Sequence, residues 1–225
     1  MRLFTLPSAM KLSEKLFGNW DIAVRRSLFM PVNRSVPDVA EKRKNWNGLI
    51  SGFKASDLVF LDESGCNTDM IRRYAYSLGG SRAVDSTPLS KPKNTTILSS
   101  IQLDGTLHYT TFSGGTTVER FKRYLETDLL PHLNGNSVLA MDNMKPHHAK
   151  AVKELLDSSG VRYIYLPPYS HDLNPVEKLW SKVKAFLRKF KARTLDALPN
   201  TIQNAFQSIS PSNCSGWFRS CGYAL

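Results

Sequence analysis

Residues 172–180 read DLNPVEKLW, and this stretch predicts the start of a long helix. Asn174 is a typical helix N-cap, and Pro175 suits the first helical position. Glu177 then falls at the third helical position, where a glutamate can cap the helix or serve as a ligand on a rigid platform. A helical wheel of this helix places five apolar side chains on one side, which we expect to pack on a sheet: Leu179, Val183, Phe186, Leu187 and Phe190.

A basic stripe follows Glu177 along the same predicted helix. Residues 178–193 contain seven Lys and Arg and no acid, and Lys184, Arg188 and Lys191 align with Glu177 at helical spacing. Such a stripe suits a phosphodiester backbone that runs past a metal site. An ordinary solvated helix face is the alternative.

Two further acids follow short apolar runs upstream. Asp62 comes after residues 58–61 and Asp142 after residues 138–141. Functional groups gather where strands end, although acids at strand ends are also common turn formers. Three carboxylates in one pocket would require protonation or a cation, and oxygen-only ligands select Mg²⁺ or Mn²⁺.

The remaining pattern predicts an α/β fold with a mixed sheet flanked by helices. The runs at 95–101 and 107–112 form a hairpin around Asp104-Gly105, and strands at 137–141 and 161–166 alternate with helices. This succession matches the ribonuclease-H-like topology. We predict three segments: an N-terminal arm at 1–55 with a helix at 37–50, a ribonuclease-H-like domain at 56–210, and a C-terminal tail at 211–225.

Composition favours a polyanionic partner. The 225-residue chain carries 30 Lys and Arg against 19 Asp and Glu, a net charge of +11, which suits nucleic acid or a generic basic surface. Three cysteines without a CxxC pair argue against a disulfide framework or a zinc ribbon. Neither a signal peptide nor a membrane span is evident, so we expect a cytoplasmic protein.

These residues resemble the mariner-like transposases, specifically their bacterial insertion-sequence branch with a D-D-E endonuclease domain. The matching stretches are VFLDESG at 59–65, MDN at 141–143 with His147 beyond it, LPPYS at 166–170, and DLNPVEKLW. The last two acids are 177 − 142 = 35 positions apart, a spacing found in this group. His171 stands where relatives usually have proline.

The resemblance covers about residues 56–209 and implies Asp62, Asp142 and Glu177 as the metal-binding catalytic acids. It implies Mg²⁺, with Mn²⁺ as a substitute, for cleaving transposon ends and joining them to target DNA. It also implies a homodimer assembled on DNA in the bacterial cytosol or nucleoid.

Four other polar residues near these motifs have less certain roles. Asn143 could contact DNA, bind a metal-bound water or close a turn, and His147 could touch a DNA phosphate or be structural. Glu63 would point away from Asp62 if the strand continues. His147-His148 lacks a correctly spaced third ligand for a transition metal.

Two alternatives to an active transposase remain at this point: a truncated, non-catalytic DNA-binding fragment, and a nuclease acting on RNA–DNA hybrids. Relatives usually carry two helix-turn-helix units before the catalytic domain. Residues 36–50 resemble the connector that follows them, and we recognise no such units upstream. We therefore expect this chain alone to bind DNA weakly and without sequence preference.

Overall fold

A five-stranded mixed sheet forms the centre of the protein in a computed structural model that describes residues 36–71, 82, 84, 86 and 94–223. The strands are β1 (Leu58–Cys66), β2 (Thr95–Gln102), β3 (Leu107–Ser113), β4 (Val138–Met141) and β5 (Arg162–Tyr165). Their spatial order is β3-β2-β1-β4-β5, in which β2 pairs antiparallel with both β3 and β1, and β4 pairs parallel with both β1 and β5. This confirms the predicted mixed sheet.

Six α-helices accompany the sheet in the described part of the chain, and none is long and apolar enough to cross a membrane. After Tyr124 the second helix continues as a π turn and then a 3₁₀ turn that contains Pro131. The helices are α1 (Pro37–Ile50), α2 (Val118–Tyr124), α3 (Lys150–Ser159), α4 (Val176–Phe190), α5 (Ala197–Gln207) and α6 (Pro211–Ser220).

Two apolar clusters cover the two faces of the sheet. Successive side chains of a strand point to opposite faces, so Leu58 and Phe60 join one cluster while Val59 and Leu61 join the other. The first cluster includes residues of α1, α4, α5 and α6, and the second includes residues of α2 and α3. The sheet therefore carries a different set of helices on each face.

Helix α4 packs on the sheet largely as its sequence predicts. Leu179, Val183 and Leu187 are buried, which confirms the apolar side of the wheel. The prediction is wrong for Phe190, which is 54% exposed and stacks on Phe186 with ring centroids 4.2 Å apart. The chain turns into the left-handed region at Lys191, so Phe190 lies in the last turn of the helix.

The C-terminal segment is a core element and not the predicted tail. Helix α6 is opened by a capping box between Ser210 and Asn213, and Phe218 and Tyr223 are buried. Phe218 meets Phe60 edge-on at 5.4 Å. With few apolar residues and a glycine inside it, this helix has a weak periodic signal, and its burial depends on a distant strand.

Phe218→Ala tests the structural role of α6. Because the ring is fully buried, we expect the free energy of unfolding to fall by about 3–5 kcal/mol. Arg219→Ala, at the exposed neighbouring position, is the matched control and should change stability by less than about 0.5 kcal/mol. Urea unfolding measures both, and equal small effects would show that the segment is dispensable.

Candidate active site: carboxylates at the ends of two parallel strands

Pairing between β1 and β4 brings Asp62 and Asp142 to neighbouring positions, one residue beyond the last parallel pair. The parallel register ends with Leu61 opposite Met141, and each acid is the next residue along the chain. The prediction that β1 ends at Leu61 is wrong, because antiparallel pairing with β2 continues to Cys66 opposite Thr95. Asp62 is therefore held within the sheet, while Asp142 begins a loop.

Asp62 is buried and hydrogen-bonded on both oxygens. Its Oδ2 accepts from Trp180 Nε1 at 3.1 Å and from Asn174 Nδ2 at 3.3 Å, and its Oδ1 accepts from the backbone N–H of Glu63 at 2.8 Å. Burial raises the pKa of Asp62 to about 7, with further increases from the negative charges of Glu177, Asp142 and Glu63. The hydrogen bond from the Glu63 N–H acts in the opposite direction.

Asn174 connects Asp62 to the start of α4. Its Oδ1 accepts from the backbone N–H of Val176, the first residue of α4, at 3.2 Å, while its Nδ2 contacts Asp62. The helix begins one residue later than predicted, so Pro175 and not Asn174 occupies the N-cap position. Glu177 does not complete a capping box, because the Asn174 N–H donates to the carbonyl of His171. The Glu177 carboxylate lies instead 2.9 Å from His171 Nδ1 and lines the cleft above the strand ends.

Asp142 is partly exposed and held through one oxygen. Its Oδ1 lies 2.9 Å from His147 Nδ1 and 3.0 Å from the backbone N–H of Met144. Burial alone would raise the pKa of Asp142. The hydrogen bond and charge of His147, together with the Met144 N–H and the charge of His171, outweigh that effect and hold the pKa below its ordinary value.

His147 is a buried partner of two acids and not a DNA contact. Its side chain has no exposed surface, and its ring stacks on Phe121 with centroids 4.2 Å apart, so the prediction that it touches a phosphate is wrong. Nδ1 faces Asp142, and Nε2 lies 3.2 Å from Glu63 Oε1. Burial opposes protonation, but the hydrogen bonds and charges of Asp142 and Glu63 raise the pKa of His147 to about 10.

The three predicted acids line one open cleft of about 470 Å³. Among the described residues, the one set of His, Cys, Asp and Glu whose ligand atoms all lie within 4.8 Å of one another is Glu63, Asp142 and His147. This set is a hydrogen-bonded chain, because the two acids face opposite ring nitrogens and one ion cannot reach both at bonding distance.

The other residues predicted to contact DNA differ in their burial and in their hydrogen bonds. Asn143 Nδ2 donates to the carbonyl of Leu166 and so ties the ends of β4 and β5 together. Lys184 and Arg188 are half-buried on α4, and Lys191 is exposed at its end. Contact of these four residues with DNA stays a prediction.

Two distant elements hold the loop that leads into α4. Arg43 on α1 binds Asp172 through both nitrogens, at 2.8 and 3.1 Å, and also donates to Ser170. Tyr223, beyond α6, donates its hydroxyl to the carbonyl of Leu173. Neither contact is visible in the sequence, because the partners are 50 to 129 positions apart.

Comparison with known proteins places this site in a family. A sequence model of the DDE superfamily endonucleases matches residues 57–199, more than half of the chain. Two similar curated proteins are the Tc1 transposase of Caenorhabditis elegans, 28% identical over 97 residues, and the Tcb2 transposase of Caenorhabditis briggsae, 32% identical over 75 residues. The aligned stretches cover 41% and 33% of this chain, and 36% and 28% of those proteins.

Solved structures show the same fold. The Mos1 transposase paired-end complex with left transposon end has a TM-score of 0.75 at 18% identity, over 94% of this chain and 66% of that one. The Mos1 catalytic domain with Raltegravir and Mg has a TM-score of 0.57 at 17% identity, over 83% and 89% of the two chains. The chain belongs to the DDE superfamily of endonucleases, and its ribonuclease-H-like fold is confirmed. The bacterial branch stays a prediction.

Asp62 should make the metal-free protein less stable as the pH rises. The unfolded chain releases this proton near pH 3.8, whereas the folded protein keeps it up to about pH 7. The free energy of unfolding should therefore fall across that window, by up to about 4 kcal/mol at 1.36 kcal/mol per pH unit. Asp62→Asn should remove this part of the pH dependence.

Urea unfolding of both proteins with a chelator present, at pH 4.5 and pH 7.5, measures the difference. An equal pH dependence in wild type and Asp62→Asn would contradict the assignment of a raised pKa to Asp62.

Proposed function

We propose that this chain is the catalytic domain of a DNA transposase, which cleaves DNA at transposon ends and transfers the freed strand into target DNA. The observation that carries the proposal is that Asp62, Asp142 and Glu177 line one cleft, beside the last residue pair of the parallel pairing between β1 and β4. The names of the similar proteins support it, since they are transposases, one of them in complex with a transposon end. Two copies would assemble on the DNA.

The carboxylates fit divalent metal ions. Hydrogen bonds from described residues reach Oδ1 of Asp142 and Oε1 of Glu177, which leaves Oδ2 and Oε2 as ligands. Burial, followed by the negative charges of Glu177, Asp142 and Glu63, raises the pKa of Asp62, and a bound cation would favour the charged carboxylate that these effects oppose. Oxygen ligands select Mg²⁺ or Mn²⁺, and Mos1 structures exist with each of these ions.

Bound ions of this kind supply an activated nucleophile and neutralise the charge that develops at phosphorus. The residues have separate positioning roles. Asp62 is fixed within β1 by Trp180 and Asn174. Asp142 leaves the adjacent strand with one oxygen free, and Glu177 approaches from the first turn of α4. His147 has both nitrogens engaged by carboxylates, so it is not available as a general base.

Asp142→Asn should abolish metal-dependent nicking of a transposon-end duplex, by about three orders of magnitude or more, because it removes a ligand charge. Binding to the duplex should remain, because the amide has nearly the same shape. Glu154→Gln, at an exposed position of α3, is the control and should nick normally.

The substrates of the same assay separate the competing functions. A non-catalytic fragment would bind the duplex and nick nothing in Mg²⁺ or Mn²⁺. A hybrid nuclease would cleave an RNA–DNA duplex and spare the transposon end. Full nicking by Asp142→Asn would overturn the assignment of the site.

The basic stripe of α4 should contribute phosphate contacts. Replacing Lys184, Arg188 and Lys191 by Ala should weaken DNA binding regardless of sequence, and the slope of log K against log salt should fall by up to about 3. The control is a triple Ala variant at three lysines of α2 and α3, which pack on the opposite face of the sheet: Lys122, Lys150 and Lys153. Equal slopes in the two triple variants would make the stripe an ordinary solvated surface.

A further inference from the structure

Glu63 and His147 form a buried polar pair beneath the proposed metal site. The strand β1 alternates, so Asp62 points towards α4 while Glu63 points to the face covered by α2 and α3. There Glu63 is only 6% exposed. One strand thus supplies a carboxylate to each face of the sheet at consecutive positions.

A buried polar pair destabilises the core of the folded protein, which argues that Glu63 and His147 have a role beyond packing. Glu63 Oε2 is buried and has no hydrogen-bond partner among the described residues, and such an orphan acceptor destabilises the folded state by roughly 1–3 kcal/mol. His147 fills a space against Phe121 that an apolar side chain could fill without desolvating a polar ring. Packing alone therefore does not account for either residue.

We infer that His147 is a positioning residue that fixes the orientation of the Asp142 carboxylate, and that Glu63 anchors His147 from the far side. His147 Nδ1 lies 2.9 Å from Oδ1 of Asp142 and 3.2 Å from the backbone carbonyl of the same residue, and the Met144 N–H donates to Oδ1 at 3.0 Å. These contacts hold one carboxylate oxygen and the backbone of Asp142 together, which restricts rotation of the carboxylate. The Phe121 ring and Glu63 fix the imidazole in turn.

The inference rests on the proposed function in one respect, since Asp142 is taken to bind metal. Groups that hold a metal ligand in place typically change metal affinity or activity by 10- to 100-fold when they are removed. Substitution of His147 should therefore change the affinity for the metal as well as the rate of turnover.

Two amide substitutions separate the ring nitrogens. Asn places its Nδ2 near the position of His Nδ1, so His147→Asn keeps the donor to Asp142 and loses the contact with Glu63. Gln reaches the position of Nε2, so His147→Gln keeps the Glu63 contact and loses the donor to Asp142. The apparent Kd for Mn²⁺ should rise about 10- to 100-fold in His147→Gln and by less than about threefold in His147→Asn.

A purely structural role predicts a different ranking. Gln is closer to His in volume, so a filler of the core would tolerate Gln at least as well as Asn. Glu63→Gln keeps the shape and an acceptor and tests the anchor without the risk to folding; it should raise the Kd by about three- to tenfold. His132→Asn, at an exposed histidine that stacks on His108 and does not line the cleft, is the control and should leave the Kd unchanged.

Calorimetric titration of the full chain with Mn²⁺ measures these constants without DNA, and thermal unfolding of each variant verifies that it is folded. Equal Kd values for the folded Asn and Gln variants, or a wild-type value in both His147→Gln and Glu63→Gln, would overturn the inference. If the Kd values of the variants follow the expected ranking but the wild-type protein nicks no DNA, the positioning role is supported and the proposed function is overturned.

Discussion

The in-register parallel pairing of β1 and β4 is the constraint on which the candidate site depends. It sets Leu61 opposite Met141, and the next residue along the chain is an acid in both cases. Two charged carboxylates at neighbouring positions of adjacent strands repel each other, so they would not approach unaided. Backbone hydrogen bonds and apolar packing on both faces of the sheet hold them there, which makes the acids a consequence of the fold's stability and not a contributor to it.

The surroundings then give the two acids opposite properties. Asp62 lies inside the sheet, and two neutral donors, Trp180 and Asn174, do not offset its burial, so its pKa is raised to about 7. Asp142 leaves the sheet and meets His147, which lowers its pKa. At neutral pH Asp142 is thus charged, while Asp62 would gain its charge most readily if a cation bound beside it.

How much of this the sequence contains depends on the range of each interaction. Local signals predict α1, the hairpin at Asp104-Gly105 and the start of α4 to within one residue, because a few neighbouring residues decide them. The end of β1 does not follow from its own residues, because strand β2, 29 to 37 positions further along the chain, extends the pairing. The buried environment of His147 has the same origin, since it depends on Glu63, 84 positions upstream.

Long-range contacts also explain why elements outside the strand ends belong to the site. Glu177 can face the cleft only if the loop before α4 has one conformation, and that loop contains Tyr169 with a left-handed φ of 56°, which is uncommon and strained for a bulky residue. The strain persists because surrounding contacts determine the backbone: Arg43 holds the loop from α1, and Tyr223 holds it from beyond α6. The first and last described elements of the chain thus meet at the loop that positions the third acid.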